Sequence, residues 1–340
     1  MKKVKILMLM SKYQKISGHT RVVDNLSSRL GELGHNVTIG AFSFEKEPPK
    51  GVNKLKFNKF EFITSKFKNY DIIHNHQTKM NFYSLFTSKP FIFHYHGASM
   101  KLQKINLKIS LFFCKHRISK IISVSETALE QLPKFAKIIP FVVIYNGIDT
   151  KYYHPDLPTT HKKGNPQLFF VGNLFRYKNV QLIINSMSKI IKIYPKSHLQ
   201  IAGDGEFKND LAQLIREKKL EKNIELVGRV TDEELRLLYS SCDIYISASK
   251  FETFGLPLME AMSCGKPVVV SNISAHTELV SSSKAGLTFS FNIDDLSTKL
   301  QKVYENLDFY AKEARKFAEK NDWGQVCLKI SNLYEQLLVV

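Results

Sequence analysis

Residues 250–267 have the sequence KFETFGLPLMEAMSCGKP, in which Gly255 precedes an apolar stretch of helical character. Pro257 suits the first turn of a helix, because an N–H group at that position would have no intrahelical partner. Apolar runs at Asp243–Ser247 and Pro267–Ser271 flank the segment and are typical of buried strands. The segment therefore predicts a strand, a helix and a second strand in succession.

The amino end of this helix is predicted to bind an anion. Free N–H groups and the helix dipole favour negative charge there, and Gly255 lets a ligand approach the backbone. Glu252 lies before the helix and Glu260 follows eight positions later, so two carboxylates can accept hydrogen bonds from sugar hydroxyls around one anion. The alternative is that Glu252 caps the helix and Glu260 is an ordinary acid of its first turn.

A second loop supplies positive charge. Arg176 and Lys178 follow the predicted strand Leu168–Val171 and precede the predicted helix Val180–Ile193. Ligands of parallel α/β sheets bind at the carboxyl ends of the strands, where guanidinium and ammonium groups can neutralise a diphosphate. The alternative is that both are solvated surface cations.

Strands and helices alternate along the rest of the chain. In the first half the predicted strands are Val4–Met10, Asn36–Ala41, Asp71–Asn75, Phe91–Tyr95, Ile121–Val124 and Phe141–Tyr145, with helices near Val22–Leu33, Met80–Phe86 and Leu102–Phe113. The polar stretch Asp156–Gln167 is the best linker candidate, and the alternation restarts after it. The pattern predicts two doubly wound α/β domains whose parallel sheets are covered on both faces.

The charge of the chain is uneven. Its 340 residues are enough for about two domains of roughly 100–200 residues each, and 49 Lys and Arg against 31 Asp and Glu give a net charge of +18. Residues 1–155 hold 25 basic and 9 acidic side chains, a net charge of +16, and the remainder holds 24 and 22, a net charge of +2. The basic half favours an anionic partner, which is a nucleic acid, a membrane surface or a phosphorylated substrate.

The cysteines and the apolar segments indicate the compartment. The four cysteines are far apart and form no C-x-x-C pair, which argues against a zinc ribbon and favours reduced thiols in a cytosolic protein. The apolar run Ile6–Met10 is too short for a signal peptide, and no stretch approaches the roughly 20 apolar residues of a spanning helix. We therefore expect a cytoplasmic protein, either soluble or peripheral at the cytoplasmic face of the membrane.

Nine motifs occur in a characteristic order. They are DIIHNH at 71–76, HYHG at 94–97, SVSE at 123–126, VIYNGID at 143–149, FVGNLFRYKN at 170–179, IAGDGE at 201–206, VGRV at 227–230, the E-x7-E pair and Asp322-Trp323. This series resembles the retaining glycosyltransferases of family four over nearly the whole chain. The resemblance implies the GT-B fold, with two facing Rossmann-like domains and an active site in the cleft between them. Residues 1–160 would form the acceptor domain and 161–322 the nucleotide-sugar domain, and a helix at 323–340 would return to the first.

The resemblance also assigns site residues. It implies a donor-binding set of Gly18, Gly172, Arg176, Lys178, Arg229, Val230, Phe254, Gly255, Leu256 and Glu260, and a catalytic set of Glu252, His96 and Lys178. Within these sets Glu260 would bind the nucleotide ribose, Glu252 would meet the donor sugar and His96 would lie close to that sugar. His74 and His94 are expected to be core or supporting residues.

Two positions depart from the family pattern. Gly172-Asn173 stands where the family commonly has Gly-Arg, so the phosphate-binding arginine is either missing or replaced by Arg176. Ser17 precedes Gly18 where the family often has two glycines. Both departures concern the phosphate contacts and not the fold.

The reaction implied by the resemblance is transfer of a hexose from a nucleoside-diphosphate sugar to a hydroxyl of a glycan or lipid-linked acceptor. The anomeric configuration would be retained, and the product would serve cell-envelope or glycoconjugate synthesis. No cofactor and no metal ion are expected, because the chain lacks a D-x-D motif and its cations can bear the diphosphate charge. The alternatives are another GT-B enzyme, such as a sugar-nucleotide epimerase or a phosphorolytic enzyme, and, least favoured, a basic nucleic-acid-binding protein.

Two segments of the basic half favour a membrane. Lys101, Lys104 and Lys108 are interleaved with apolar residues in 101–120, and a basic amphipathic helix of this kind can lie on an anionic membrane. Lys54–Lys68 is a second basic and aromatic segment. The alternative is an ordinary solvated face, whereas an anionic lipid-linked acceptor would explain why the charge is concentrated in this half.

Overall fold

The structure, a computed structural model, describes residues 3–15, 17–58, 66–98 and 100–339. The chain divides into two compact units, one formed by Met1–Gly147 with Trp323–Val340 and one formed by Ile148–Asp322. The boundary therefore lies at Gly147 and not near residue 160. The reason is that the Ser263 hydroxyl donates to the Tyr153 carbonyl at 2.6 Å, which ties the segment after Gly147 to the second unit.

The expected linker Asp156–Gln167 is also part of the second unit. Lys162 Nζ lies 2.7 Å from Asp243 Oδ1, and the His161 amide donates to the Ser241 hydroxyl at 3.0 Å. A polar composition was a poor guide here, because polar groups of this stretch contact the folded unit.

The first unit is built on a parallel sheet. Its strands are β1 (Lys5–Leu9), β2 (Lys12–Tyr13), β3 (Asn36–Ala41), β4 (Ser43–Phe44), β5 (Asn53–Lys56), β6 (Ile72–Asn75), β7 (Phe91–Tyr95), β8 (Lys120–Ser123) and β9 (Phe141–Val143). Its helices in this part of the chain are α1 (Gly18–Glu32), α2 (Lys101–Cys114) and α3 (Glu126–Glu130), with 3₁₀ helices at Lys66–Asn69, Thr78–Phe86 and Lys134–Ile138. Within the described residues, seven strands pair in the order β5-β3-β1-β6-β7-β8-β9, and β2 pairs with β4.

The strand order places ligands at one edge of the sheet. Connections run outward in opposite directions from the neighbouring strands β1 and β6, and the crevice at such a switch point is where open α/β sheets bind ligands. The helix expected near Met80–Phe86 is a 3₁₀ helix, Thr78–Phe86. Asn81, Phe82, Tyr83 and Ser84 stand in succession there, and all four are weaker helix formers than Leu, Lys or Met.

The second unit repeats this plan. Its strands are β10 (Gln167–Val171), β11 (His198–Ala202), β12 (Ile224–Gly228), β13 (Ile244–Ser247), β14 (Val268–Ser271) and β15 (Gly286–Phe289). Its helices are α4 (Val180–Ile193), α5 (Lys208–Glu217), α6 (Asp232–Ser241), α7 (Leu256–Ser263), α8 (Ser274–Ser283), α9 (Ile293–Tyr304) and α10 (Leu307–Lys320), with a 3₁₀ helix at Arg176–Lys178. In the described chain the order is β12-β11-β10-β13-β14-β15, which is doubly wound with its switch point between β10 and β13.

The chain returns to the first unit through α11 (Trp323–Leu338). Trp323, Val326 and Tyr334 of this helix are buried in the core that the strands and α1 of the first unit form. A Cβ atom on Gly147 would lie 2.4 Å from the Trp323 ring, so glycine is needed there for the tryptophan to pack. The predicted return of the final helix to the first domain is confirmed.

Three sequence expectations concern burial and membranes. All four cysteines are buried thiols. Of the residues that the structure describes, no helix is both long and apolar enough to cross a membrane. Residues 59–65 of the basic and aromatic segment Lys54–Lys68 lie outside the described residues.

Candidate active site

The first candidate site lies at the switch point of the second unit. The loops that follow β10 and β13 carry Lys178 and Glu252, and the Lys250 amide donates to the Tyr177 carbonyl at 2.8 Å, which joins the two loops. Lys178 Nζ then lies 2.5 Å from Glu252 Oε1. The two side chains are 14% and 21% exposed, so this ion pair is largely shielded and held in one geometry.

A buried network supports the loop that ends at Glu252. The Ser271 hydroxyl on β14 donates to the Ser249 carbonyl at 2.5 Å, and the Ser249 hydroxyl donates to the Phe251 carbonyl at 3.0 Å. His276 Nδ1 lies 3.1 Å from the Ser271 carbonyl. Burial lowers the pKa of His276 to about 4, against a smaller opposing effect of the Glu252 carboxylate. His276 is thus a neutral support of the loop that the sequence analysis did not identify.

The amino end of α7 has the expected geometry. Gly255 is the residue that precedes the helix and has φ +104°, a conformation that favours glycine. The amides of Leu258 and Met259 donate to the Gly255 carbonyl, at 3.0 and 3.4 Å, and this helix end carries the positive end of the dipole. Glu252 is not the cap of this helix, because it pairs with Lys178 instead. Phe254 is buried and Leu256 half-buried at this helix end.

Glu260 lies one turn inside α7 and is only 4% exposed. The Tyr239 hydroxyl of α6 donates to Glu260 Oε2 at 2.8 Å. Burial raises the pKa of Tyr239 well above its usual value, so the hydroxyl keeps its proton and remains a donor. Glu260 is therefore not a solvated first-turn acid, and a carboxylate has two oxygens that can each accept more than one hydrogen bond, including bonds from a ligand.

Two glycines bring the loops of this unit together. Gly172 follows β10, and its amide donates to the Ala202 carbonyl at 3.1 Å. A Cβ atom on Gly203 would lie 2.0 Å from the Gly172 carbonyl oxygen, so the two backbones approach as closely as glycine permits.

Arg176 is separated from this arrangement. Its side chain is 79% exposed and lies 3.9 Å from Asp210, and its guanidinium stands 5.1 Å from the ring centre of Phe207 at the start of α5. The reading as a solvated cation thus fits Arg176, whereas Lys178 is shielded.

The predicted base-binding residues lie on another loop. Arg229 is 80% exposed and its Nε atom stands 3.7 Å from Asp204 Oδ2. Val230 is half-buried beside it. Both follow Gly228, which ends β12 with φ +83°.

A cavity of about 220 Å³ lies at the switch point of the first unit. It is lined by Ser11, His19, His76, Gln77, Thr78, Lys79, Phe93, His94, Tyr95, His96, Gly97, Ala98, Gln103 and Asn106. Gly18 is the first residue of α1, where Ser17 caps the helix by accepting from the Thr20 amide at 3.0 Å. A Cβ atom on Gly18 would meet nothing within 4 Å, so the protein itself leaves space there.

Four stacked histidines lie at this cavity, and three of them, His76, His94 and His96, line it. His74 lies within β6 and His76 directly after it, and His94 and His96 have the same positions in and after β7, so all four alternate onto one face of the sheet. Their rings stack, with 4.6 Å between the ring centres of His94 and His96 and 5.2 Å between those of His74 and His94. His19 of α1 lies 4.9 Å from His96, ring centre to ring centre.

Burial keeps these imidazoles neutral. Desolvation lowers the pKa of His94 to about 3 and lowers the pKa values of His74, His76 and His96 well below their usual range. His74 and His94 are buried as expected, and His96 is half-buried at the cavity. His76 was missed by sequence reasoning, although the repeated His-x-His spacing at 74–76 and 94–96 is a readable signal.

Comparison with known families covers both units. The family described as Glycosyltransferase Family 4 matches residues 16–152. The family described as Glycosyl transferases group 1 matches residues 158–322.

Individual relatives agree with these matches. The chain is 25% identical to an uncharacterized glycosyltransferase of Methanocaldococcus jannaschii, MJ1178, over 98% of this chain and 99% of the relative. The sulfoquinovosyl transferase SQD2 of Arabidopsis thaliana is 28% identical over 62% of this chain and 41% of the relative. The alpha-monoglucosyldiacylglycerol synthase of Streptococcus pneumoniae is 25% identical over 58% and 47%. The match thus spans about half or less of these last two relatives.

Solved structures share the fold. The structure of Anabaena Alr3699/HepE in complex with UDP superposes with a TM-score of 0.80, at 18% identity, over 98% of this chain and all of that one. A glycosyltransferase from Rickettsia africae gives a TM-score of 0.79, at 20% identity, over 99% of both chains.

Proposed function

The chain belongs to the glycosyltransferases with the GT-B fold, and we propose that it moves a hexose from a nucleoside-diphosphate sugar to a hydroxyl of a glycan or lipid-linked acceptor with retention of configuration. The observation that carries the proposal is the Lys178–Glu252 ion pair, 2.5 Å long, at the switch point of the second unit. Beside it in sequence is the amino end of α7, and Glu260 lies within that helix. A cation, a helix dipole and two carboxylates fit a sugar diphosphate, since the cation and the dipole favour the phosphates and the carboxylates accept from hydroxyls.

The proposed step is a front-face substitution. The bond between the anomeric carbon and the diphosphate oxygen breaks while the acceptor oxygen bonds to that carbon on the same face. The acceptor proton passes to the leaving phosphate oxygen. Lys178 and the positive end of the α7 dipole stabilise the negative charge that develops on that phosphate, so this step assigns no charge to a metal ion or cofactor. His96 stays a predicted contributor from the first unit.

The comparisons support the donor and acceptor classes. HepE was solved with UDP and with UDP-glucose, which favours a nucleotide sugar as the donor here. The relatives include a phosphatidylinositol N-acetylglucosaminyltransferase subunit, GPI3, and the glucosyldiacylglycerol synthase. Their lipid acceptors favour a lipid-linked acceptor for this chain, in cell-envelope or glycoconjugate synthesis.

The proposal is tested by donor binding followed by product analysis. We expect one of the UDP-, GDP-, ADP- or CMP-sugars to raise the unfolding midpoint, because a ligand that binds only the folded state stabilises it. That donor is then incubated with glycan and lipid-phosphate acceptors, and the anomeric configuration of the product is read by NMR. A donor epimerised without an acceptor, or cleaved only with inorganic phosphate, would favour the alternative GT-B enzymes. Retarded nucleic acid with no sugar-nucleotide binding would overturn the proposal.

We also propose that the first unit attaches to the anionic cytoplasmic face of a membrane through α2. Leu102, Ile105, Ile109, Phe112 and Phe113 of this helix are 47–63% exposed. Lys101, Lys104 and Lys108 on the same helix are exposed as well. Phe82 of the preceding 3₁₀ helix continues the patch, 6.4 Å from Phe113 between ring centres. Clustered exposed apolar side chains mark interaction sites, and the lysines select an anionic surface as the occupant.

Replacing the three lysines tests this attachment. Each lysine contributes about 1 kcal/mol near an anionic surface, so K101Q/K104Q/K108Q is expected to bind anionic vesicles roughly 100-fold more weakly. The measurement is flotation with vesicles of phosphatidylglycerol and phosphatidylcholine at low and high salt. The matched control replaces three exposed lysines of the second unit, Lys218, Lys222 and Lys312. Equal binding by both triple variants, or no binding by the parent chain at low salt, would contradict the proposal.

A further inference from the structure

Two buried nitrogen atoms in the first unit lack partners. Among the described residues, His76 Nε2 and His94 Nε2 have no hydrogen-bond partner, and the two side chains are 2% and 3% exposed. Buried polar atoms in folded proteins nearly always have a partner, and each exception needs an explanation. Both residues line the 220 Å³ cavity, so a ligand bound there can reach them.

We propose that His74, His76 and His94 bind one divalent transition-metal ion of the zinc class. The three residues each offer one ligand atom, and these atoms all lie within 4.8 Å of one another. His74 Nε2 and His94 Nδ1 share a hydrogen bond and are 3.2 Å apart. A metal ion bound by both atoms would displace the proton between them to His94 Nε2, which has no partner. A tetrahedral zinc ion with bonds of about 2.0–2.1 Å separates its ligands by about 3.3 Å, so this pair already has the spacing of two zinc ligands.

Two neighbouring groups orient the imidazoles. The Tyr334 hydroxyl lies 2.5 Å from His74 Nδ1 and can accept its proton, which leaves the lone pair of Nε2 for the metal. His96 Nε2 lies 3.2 Å from His76 Nδ1 and has the same effect on the unpartnered His76 Nε2. Metal-binding histidines are commonly oriented in this way through their second ring nitrogen.

The type of ligand atom also suits this class of metal. Neutral imidazoles suit zinc, copper and nickel more than magnesium or calcium, which prefer oxygen ligands.

The site would keep one open position. Three protein ligands with a fourth position for water or a hydroxyl group are typical of zinc ions that act on a ligand. Here two of the ligands, His76 and His94, line a cavity in the unit that the resemblance assigns to the acceptor. The site stands on the contacts within this unit alone and does not depend on the proposed sugar transfer.

The experiment measures metal binding directly, without an activity assay. The whole chain, free of any histidine tag, is stripped with a chelator and titrated with Co²⁺ and Zn²⁺. We expect one ion per chain and a visible Co²⁺ absorption typical of a low-coordinate site. H76Q and H94Q should each weaken Zn²⁺ binding by at least about 100-fold, and Y334F by about 10–100-fold through misorientation of His74. H116Q, which changes an exposed histidine of the same unit, should leave binding unchanged.

Folding is checked by circular dichroism and by the unfolding midpoint, which Zn²⁺ should raise in the parent chain and not in H94Q. If H76Q or H94Q fails to fold, the Y334F variant tests the proposal instead, because it keeps all three imidazole ligands. No stoichiometric ion in the parent chain, or equal affinity in parent, Y334F and H94Q, would overturn the proposal and show adventitious binding only.

Discussion

Replacing Glu252 by glutamine is expected to lower the turnover number, kcat, of sugar transfer by about 10²–10³-fold, the usual loss when one preorganised electrostatic contact is removed. Glutamine keeps the shape of the side chain and removes the charge that holds Lys178 Nζ at 2.5 Å. The ammonium group then loses its position beside the leaving phosphate. The donor dissociation constant should change by less than about threefold, because the helix dipole and Glu260 remain.

Rapid-quench kinetics and equilibrium donor binding separate these two quantities. The companion variant is Lys178→Met, and the double variant completes a cycle. If Glu252 acts mainly by positioning Lys178, the double variant is no slower than the slower single variant. A charge-neutralising control on an exposed acid of the same unit, Glu233→Gln, should leave both kcat and the dissociation constant unchanged. Loss of donor binding with normal kcat in E252Q would contradict the assignment.

Replacing Glu260 by alanine is expected to weaken donor binding and to leave kcat nearly unchanged, which is the opposite of the result expected for Glu252. The donor dissociation constant should rise about 10–100-fold, since a hydrogen bond to a charged group contributes about 1.5–3 kcal/mol. At saturating donor, kcat should stay within a few-fold of the parent value. The reason is that Glu260 is placed to hold the nucleoside, which does not change during transfer, and its carboxylate is buried and already held by Tyr239.

Calorimetry with the donor and with the free nucleoside diphosphate checks this prediction, because both ligands carry the ribose and should lose the same affinity. Tyr239→Phe is the control for damage to the core. It removes the hydroxyl that donates to Glu260 and leaves the carboxylate in place, so its effect on the donor should be at most a few-fold. An equal loss in E260A and Y239F would mean that the pair is structural.

Regular elements with strong apolar patterns were predicted well. The predicted bounds of β3, β7 and α4 coincide with the observed ones, because each has a strong apolar pattern between clear turn or cap residues. The amino end of α7 was also placed correctly, since Gly255 and Pro257 are strong local signals. The start of helix α6 could also have been predicted, because Thr231 and Glu234 form a capping box with the recognisable spacing T-x-x-E.

Contacts between distant positions were not predictable from spacing. Lys178 and Glu252 are 74 positions apart, and they meet because β10 and β13 are neighbours in the sheet. No local sequence pattern indicates that these two strands pair. His74 and Tyr334 are 260 positions apart. Their contact depends on the return of α11, so His74 was taken for a core residue and the cluster around it was missed.

The split first unit has a consequence for the order in which the chain folds during synthesis. The second unit is one continuous segment, and the Ile148 amide donates to the Asn321 carbonyl at 3.0 Å, so its two ends are adjacent. It can form as soon as its last residues leave the ribosome. The first unit starts earlier and finishes later, because Trp323 and Tyr334 complete its core. The sheet of the first unit and its histidines therefore lack part of their packing until the second unit has been synthesised.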